Sequence, residues 1–315
     1  MKQINTKNVL IKKARRKFLS NGIKNKLSMI TDSRLIDSYK KSFICSHTLL
    51  QTGTKLTSIY CNQRWCPTCT AIKTAKFIDA YKHEIEAYND FFFVTLTIKS
   101  DTINKSNLEH SIKQMILSWK RINAHARKLK ERGKLDIWHG MRKIECTYRE
   151  NGTFHPHFHI LVRTEYSAKL IIDKWLELNT TSTIEAQNCT LSNSGVEKEL
   201  FKYYTKLVTG SSKKASKSIN AIALNDVLEA MIGKRVFHNF GTFKKQIKEE
   251  EIPELESQSF DIQEDIASFK WRKNDWLNEE TGELLTGYMP SQGMEKLIYS
   301  EGNKSSVRKQ FLSDS

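Results

Sequence analysis

The feature that most constrains the fold is the segment HPHFHILV at 155–162, in which polar and apolar side chains alternate. Alternate side chains of an extended strand share a face, so His155, His157 and His159 project together. Phe158 takes the opposite face, which we expect to be buried. The segment is therefore predicted to be a β-strand with one apolar face and one face that carries three imidazoles.

A second extended segment, 136–149, precedes this strand, and the connecting turn decides which of its side chains join the histidines. A two-residue loop would pair Glu145 with Phe158 and turn the carboxylate away from them. A three-residue loop shifts the register by one position and places Glu145 opposite His157. Such loops commonly end in a glycine with a left-handed backbone conformation, which suits Gly152. We therefore predict a hairpin in which the carboxylate and the histidines share a face.

Two imidazoles and a carboxylate on one face are a candidate site for a divalent cation. We predict that His157, His159 and Glu145 bind Mg²⁺ or Mn²⁺, because mixed nitrogen and oxygen ligands with open positions suit these ions in phosphodiester chemistry. The alternative for an isolated pair of histidines is a solvated, basic sheet face that contacts nucleic acid without a metal. The third histidine, His155, and the aligned carboxylate favour the metal.

Four of the six cysteines lie close together in the N-terminal part of the chain. Cys61, Cys66 and Cys69 follow the spacing C-x4-C-x2-C, and the CPTC step is typical of a zinc knuckle, in which two thiolates turn onto one ion. A closed tetrahedral site needs a fourth ligand, which Cys45 or His47 could supply. The spacing therefore predicts a structural Zn²⁺ site, and free thiols or a redox pair fit it less well.

The segment VEKELFKYYTKLV at 196–208 has the periodicity of an amphipathic helix. Its apolar stripe comprises Val196, Leu200, Tyr204 and Leu207, and its adjoining polar face comprises Glu199, Lys202, Tyr203 and Lys206. Tyr203 is the better candidate nucleophile and Tyr204 the better core residue, because a phenol exposed beside lysines becomes more acidic. Glu199 lies one turn before Tyr203, where a carboxylate could activate a second nucleophile such as water.

The remaining periodicities predict helices and strands in alternation. One or two surface helices are expected within 1–40, further helices over 70–88, 106–133 and 167–178, and strands over 91–100 and 183–191. Ser106 and Glu109 are predicted to form a capping box, and Cys146 and Cys189 to be small core residues. Strands and helices interleaved around a hairpin indicate an α+β fold with a largely antiparallel sheet.

The net charge of +16 is unevenly distributed along the chain. Residues 246–315 contain 8 basic and 15 acidic side chains, which leaves 43 basic and 20 acidic side chains in 1–245. A body this basic most simply binds nucleic acid, although lysine-rich surfaces also serve solubility. The acidic region could bind a host replication protein or fold back on the basic body.

No apolar run approaches the length of a membrane helix, and the basic N-terminus lacks the apolar core of a secretion signal. We therefore expect a cytoplasmic protein with no membrane partner, whose cysteines are thiols or metal ligands rather than disulfides. The phosphate-binding motif G-x-x-x-x-G-K-S/T is absent from the sequence, so we predict no NTPase activity and a need for a host helicase.

Together these segments resemble the replication initiators of rolling-circle plasmids, within the HUH endonuclease superfamily. FVTLT at 93–97 is similar to the first family motif, and HPHFHILV contains the second, His157-Phe158-His159. ELFKYYTK at 199–206 is similar to the third, in which a tyrosine in a K-Y-x-x-K setting follows a glutamate by four residues. The family often carries a C-x2-R-x-C-P-x-C segment before the first motif, and Arg64 fits it.

The resemblance implies that Tyr203 attacks a phosphodiester of single-stranded or extruded origin DNA, leaving a 5′-phosphotyrosine and a 3′-OH that primes synthesis. The metal on the histidine face would position and polarise that phosphate. Glu199 would activate the attack that ends the cycle, and Lys202 and Lys206 would contact the phosphate or the phenolate. Origin DNA, a host helicase and host replication proteins are the implied partners.

The chain is predicted to consist of three regions. Residues 1–90 are predicted to form a basic region with the zinc-binding cysteine cluster. Residues 91–245 are predicted to form an HUH-type catalytic domain with a central antiparallel sheet flanked by helices, and residues 246–315 an acidic region. Two other functions fit the same residues: an HUH transposase or relaxase, and a non-catalytic, zinc-containing protein that binds nucleic acid. A covalent adduct through Tyr203 would distinguish the enzymes from the binding protein.

Overall fold

The computed structural model describes residues 2–53, 55–149, 151–192, 200–201, 219–244 and 266–299. Its helices are α1 (Lys2–Ser28), α2 (Ile36–Lys41), α3 (Pro67–Glu86), α4 (Lys105–Glu131), α5 (Glu165–Leu178), α6 (Ala221–Ala230) and α7 (Gln292–Ile298). Its strands are β1 (Thr48–Thr52), β2 (Lys55–Thr57), β3 (Phe91–Thr97), β4 (His139–Tyr148), β5 (Phe154–Arg163), β6 (Asn188–Leu191), β7 (Phe237–Gly241), β8 (Ile266–Arg272) and β9 (Asp275–Asn278). All pairs between these strands are antiparallel, which confirms the predicted α+β fold with antiparallel sheets flanked by helices.

The chain forms two compact units, each assembled from separate stretches of sequence. The first unit comprises Met1–Ile72, Thr209–Asn225 and Glu249–Ser315, and the second comprises Lys73–Val208 and Asp226–Lys248. These boundaries differ from those of the predicted regions 1–90, 91–245 and 246–315. The difference arises because β8, near the C-terminus, pairs with β1, near the N-terminus. Segments that pack together are therefore far apart in the sequence.

The first unit contains a four-stranded sheet in the order β2-β1-β8-β9. Its core consists of Ala14, Phe18, Leu49, Phe269, Trp271, Trp276, Tyr288 and Ile298. Since α1 contributes Ala14 and Phe18 to this core, it is not the surface helix that its weak pattern predicted. The rings of Trp271 and Trp276 lie 4.6 Å apart, and Trp276 Nε1 donates a hydrogen bond to the Ser46 backbone oxygen. The acidic region was expected either to bind a host replication protein or to fold back on the basic body. Its described part, 266–299, packs against N-terminal elements of the same unit and therefore folds back.

The second unit contains a five-stranded sheet in the order β6-β3-β5-β4-β7, with the histidine strand β5 in the centre. On one face, Phe158 packs edge-on against Trp119 of α4 and Trp175 of α5. The opposite face carries the histidines. Pro156 is tolerated in this central strand because the ladder with β3 begins only at His157, so the missing amide hydrogen interrupts no pair of that ladder.

The hairpin between β4 and β5 has the predicted three-residue loop. Glu145 lies opposite His157, and the Arg149 amide donates to the Thr153 oxygen at 2.8 Å, which closes the loop. Gly152 has a φ of +82°, the left-handed conformation that the prediction required. The predicted register is therefore confirmed: the carboxylate of β4 and the imidazoles of β5 share one face.

The predicted capping box of α4 is wrong. Asn104, not Ser106, is the N-cap: its side chain accepts a hydrogen bond from the Ser106 amide at 2.9 Å. The Asn107 side chain in turn accepts one from the Asn104 amide at 2.9 Å. An asparagine two residues upstream meets the first free amides of the helix and therefore sets its start. Glu109 instead pairs with Lys234, 3.0 Å away.

Two predictions near β6 also differ from the structure. The predicted strand 183–191 begins only at Asn188, because Ile184–Ala186 form a short 3-10 helix. Cys189 is exposed, not part of the core, because β6 is a short strand at the edge of the sheet. Cys146, the other predicted core cysteine, is buried in β4.

Candidate active site and metal centres

Three predicted metal ligands meet on the histidine face of the second unit. The Oε2 atom of Glu145 lies 3.4 Å from His157 Nε2 and 3.4 Å from His159 Nε2. One ligand atom from each residue lies within 4.8 Å of the other two. The pairing of β4 with β5 places the three side chains on one face, so the cluster follows from the hairpin register.

Hydrogen bonds outside the cluster orient both imidazoles. His157 Nδ1 lies 3.0 Å from the backbone oxygen of His155, which can only accept, so Nδ1 carries the proton and Nε2 keeps its lone pair. His159 Nδ1 lies 3.2 Å from the hydroxyl of Thr95 in β3. Metal-binding histidines usually have their second nitrogen hydrogen-bonded in this way. Both Nε2 atoms consequently face the Glu145 carboxylate.

The spacing of the three ligand atoms fits a divalent ion. A separation of 3.4 Å is long for a nitrogen–oxygen hydrogen bond, whose usual range ends at about 3.2 Å. Two ligands at about 2.1 Å from one ion are separated by about 3.0 Å in octahedral geometry and about 3.4 Å in tetrahedral geometry. The cluster could therefore hold a divalent cation, and its mixed nitrogen and oxygen ligands are compatible with Mg²⁺ or Mn²⁺.

Lys143 belongs to this site although no sequence motif marks it. Its ammonium group forms an ion pair with Glu145 Oε1, and its side chain is fully buried. Burial acts to raise the pKa of Glu145, but the charge of Lys143 and its hydrogen bond to Oε1 act in the opposite direction and hold that pKa well below its ordinary value. The carboxylate is therefore ionised, with one oxygen held by the lysine and the other facing the imidazoles.

His155 lies outside the three-residue cluster and links two polar side chains instead. Its Nδ1 atom is 2.7 Å from the Ser100 hydroxyl and 2.9 Å from Arg149 Nη2. A guanidinium can only donate, so Nδ1 accepts and the imidazole proton resides on Nε2. Burial, together with the charges of His157 and Arg149, lowers the pKa of His155 to about 4. His155 is therefore a neutral neighbour of the candidate metal site.

Of the third motif, the structure describes Leu200 and Phe201. The predicted residues Glu199, Lys202, Tyr203, Tyr204 and Lys206 lie outside the described residues. Leu200 is buried, as the helical periodicity predicts. Phe201 is buried in an aromatic cluster, with ring centroids 5.7 Å from Tyr81, 5.8 Å from Phe237 and 5.9 Å from Phe77. The described part of the motif is therefore anchored in the core of the second unit.

Phe237 of β7 connects this aromatic cluster to the candidate metal site. Lys143 is its partner across the sheet, and the ammonium nitrogen lies 6.0 Å from the centroid of the Phe237 ring. The Thr74 hydroxyl donates a hydrogen bond of 3.0 Å to the backbone oxygen of Phe201. Phe201 is thus held in place two residues before Tyr203, and a single aromatic ring contacts both Phe201 and the lysine that pairs with Glu145.

Four thiols form a second candidate metal centre, in the first unit. Cys45 Sγ lies 3.4 Å from Cys69 Sγ and 3.7 Å from Cys66 Sγ, and Cys61 Sγ lies 3.6 Å from Cys69 Sγ. Four thiolates at about 2.3 Å from one Zn²⁺ in a tetrahedron are separated by about 3.8 Å, and a disulfide would need about 2.0 Å. The four cysteines could therefore bind Zn²⁺ together.

Cys45, rather than His47, completes this cysteine cluster. The short 3-10 helix Ser42–Ile44 turns the chain so that Cys45 reaches the other thiols, whereas the His47 ring packs beside Phe43 at 5.5 Å. The buried Lys17 donates a hydrogen bond of 2.5 Å to the backbone oxygen of Cys45. Burial lowers the pKa of Lys17 to about 8, so the side chain remains mostly charged near pH 7 and offsets thiolate charge.

A family model described as replication protein matches residues 54–278, most of the chain. The matched range contains the histidine hairpin, the third motif and three of the four clustered cysteines. The chain belongs to this family. Membership confirms the predicted relationship to the initiators of rolling-circle plasmids. No curated protein and no solved structure matches the chain.

Motif matching misses three residues that the structure of this replication protein brings to the site. Lys143 could have been found from its position two residues before Glu145, since alternate residues of a strand share a face. Arg149 and Phe237 carry no such local signal, because their contacts depend on the turn geometry and on the pairing of β7 with β4.

Among the described residues, no helix has both the length and the apolar character needed to cross a membrane.

Proposed function

We propose that this replication protein initiates plasmid rolling-circle replication by nicking origin DNA with Tyr203 in a metal-dependent reaction. One observation carries the proposal: His157 and His159 converge on one oxygen of Glu145, on the sheet face against which Phe201 packs. Phe201 lies two residues before Tyr203 in the sequence. Family membership supports the coarser part of the proposal, a role as plasmid replication initiator.

In the proposed step, the phenol oxygen of Tyr203 forms a bond to the phosphorus while the bond from phosphorus to the 3′-oxygen breaks. The phenol gives up its proton during the attack and the departing 3′-oxygen takes one, so the products are a 5′-phosphotyrosine and a free 3′-OH. Lys202 and Lys206 would favour the phenolate through their charge. A divalent ion held by the two histidines and Glu145 would stabilise negative charge on the phosphate oxygens.

Lys143 contributes to this step through the carboxylate. With Oε1 of Glu145 paired to the ammonium, Oε2 is left for the cation and the carboxylate cannot rotate freely. The cation would thus keep open positions for a phosphate oxygen and water, which the proposed reaction needs.

Termination and partners complete the proposal. Glu199 would accept a proton from a water molecule whose oxygen bonds to the phosphorus at the regenerated origin while the bond from phosphorus to the 3′-oxygen breaks and that oxygen takes a proton, so that a second nick ends the cycle. Single-stranded or extruded origin DNA would be the substrate, and a host helicase would unwind the duplex. Zn²⁺ at Cys45, Cys61, Cys66 and Cys69 would have a structural role.

The test is the formation of a covalent protein–DNA adduct. Full-length protein is incubated with Mn²⁺ and single-stranded fragments that tile the origin of its plasmid, and adducts are resolved by denaturing electrophoresis. Tyr203→Phe should abolish the adduct and leave DNA affinity near that of the wild type, because only the attacking oxygen is removed. Tyr204→Phe is the matched control and should still form the adduct. Peptide mapping of the adduct identifies the modified residue.

The variants also separate the competing functions. Replacing His157 and His159 with alanine should lower the adduct yield by about 10²-fold or more, as for loss of metal binding at a catalytic site. A wild-type protein that binds the fragments yet forms no adduct on any of them would rule out the nickase and leave the non-catalytic binding protein. An adduct confined to transposon-end or transfer-origin sequences would identify the transposase or relaxase.

A further inference from the structure

We propose that His155 and Arg149 form a phosphate-binding site beside the candidate metal site, with His155 donating its Nε2–H to an oxygen of the DNA backbone. The inference rests on the proposed function in that it takes DNA as the ligand. It goes beyond that function because it assigns a binding role to two residues outside the predicted ligands and the third motif.

Hydrogen-bond direction fixes the donor. Arg149 Nη2 lies 2.9 Å from His155 Nδ1, and a guanidinium has no acceptor, so the lone pair of Nδ1 receives this bond. The Ser100 hydroxyl, which follows β3, lies 2.7 Å from the same nitrogen and also contacts the ring. The single imidazole proton must then sit on Nε2. Among the described residues, no protein acceptor contacts this N–H, and the side chain is only half-buried.

Charge selects an anion as the acceptor. Arg149 carries a positive charge that pairs with no carboxylate among the described residues, and its guanidinium is half-buried. The nearest carboxylate of the candidate metal site, Glu145, is already paired with Lys143. A neutral N–H donor backed by an unpaired guanidinium suits a phosphate oxygen, since bonds from donors to charged acceptors are the strong ones.

Position makes the ligand a backbone phosphate rather than an isolated ion. The rings of His155 and His157 are stacked, with centroids 5.2 Å apart and an interplanar angle of 23°. Successive phosphates of one strand advance by about 3.4 Å along the axis of a duplex, a spacing of the same order. A strand whose phosphate meets the cation at His157 would therefore place a second oxygen, on the same or the next phosphate, within reach of His155.

A purely structural role is the competing explanation, because His155 also ties Ser100 to Arg149. Three variants separate the two roles. His155→Phe keeps an aromatic ring and removes the donor. His155→Gln keeps an N–H donor. Ser100→Ala breaks the structural hydrogen bond and leaves the Nε2–H intact, so it is the matched control.

Equilibrium binding of full-length protein to fluorescent oligo(dT), without added Mg²⁺ or Mn²⁺, tests the proposal independently of nicking. His155→Phe should bind about tenfold more weakly, with His155→Gln recovering part of the loss and Ser100→Ala close to wild type. The slope of log affinity against log salt should stay unchanged in His155→Phe, since the donor is neutral. In Arg149→Gln the slope should fall by about 0.7, the contribution of one cation on a single strand. Thermal unfolding checks that each variant is folded.

Three results would overturn the proposal. One is wild-type affinity in His155→Phe, and another is an equal loss in Ser100→Ala, which would indicate the structural role. The third is a loss seen with oligo(dT) and absent with oligo(dA) and oligo(dC), which would indicate a base contact. Adduct formation is measured separately. If no adduct forms but the variants bind oligo(dT) as predicted, only the nicking proposal is wrong. If the adduct forms but His155→Phe binds like the wild type, only the phosphate-site proposal is wrong.

Discussion

At the scale of single residues, the unusual feature is a buried ion pair at the base of the candidate metal site. Lys143 is fully buried and pairs with Glu145, although moving a lysine out of water is costly. The pair is compatible with a site that must hold a charged carboxylate whether or not a cation is bound. The lysine compensates the carboxylate charge on one oxygen and leaves the other oxygen for the imidazoles.

Lys143→Met should therefore destabilise the protein, because it leaves the largely buried Glu145 carboxylate without its cation. We expect the free energy of unfolding to fall by about 3–5 kcal/mol, measured by urea denaturation without added Mg²⁺ or Mn²⁺. The double variant Lys143→Met with Glu145→Leu removes both charges and should recover most of the loss. If the single variant is as stable as the wild type, the pair does not compensate charge as described.

At the scale of secondary structure elements, the β4–β5 hairpin determines the candidate site. Its loop length sets the register, and the register decides whether Glu145 faces His157 or the opposite, apolar side of the sheet. Gly152 makes this loop possible with its φ of +82°. The strand also places His155 on this face, but its ring lies outside the three-residue cluster and forms hydrogen bonds with Ser100 and Arg149 instead.

Gly152→Ala should cost about 1–2 kcal/mol of stability, because a left-handed conformation strains any residue with a Cβ. The cost is conformational rather than steric, since the nearest atom to an added Cβ is the Tyr148 hydroxyl at 3.9 Å. Gly152→Asn should cost less, as asparagine adopts this conformation more readily. Urea denaturation followed by tryptophan fluorescence measures both variants. Equal stability of the alanine variant and the wild type would contradict the requirement for glycine.

At the scale of the whole molecule, strands and ligands from distant parts of the sequence complete each unit. In the first unit, β8 pairs with β1 along its length, and Trp271 and Trp276 join Leu49 in one core. The cysteine cluster lies in the same unit and draws Cys45 to the CPTC segment. Zn²⁺ would thus stabilise a part of the fold whose sheet also depends on the C-terminal region.

Cys66→Ser should release the zinc and destabilise the first unit, because a structural site with three thiolates binds the ion much more weakly. Elemental analysis of purified wild-type protein should find about one Zn²⁺ per chain at this site. His47→Ala and Cys189→Ser are the controls and should retain the zinc, since neither residue belongs to the cluster. Zinc retained in Cys66→Ser, or lost in His47→Ala, would contradict the assignment of the ligands.

Features that depend on short-range periodicity could be predicted from the residues alone. Strand alternation and a glycine-ended turn predicted the face shared by Glu145, His157 and His159, and cysteine spacing predicted three of the four clustered thiols. Such patterns are informative because a strand or a tight turn restricts the same few dihedral angles wherever it occurs.

Contacts between distant segments of the chain determined the remaining features. They selected Cys45 over His47, paired β8 of the C-terminal region with β1, and placed Phe237 between Lys143 and Phe201. They also identified Ser100 and Arg149 as the side chains that contact the His155 ring, which the sequence pattern had left as a neighbour of the ligands. These contacts form because folding buries apolar area and pairs polar groups across the whole chain. A local pattern of residues does not specify which distant segments meet.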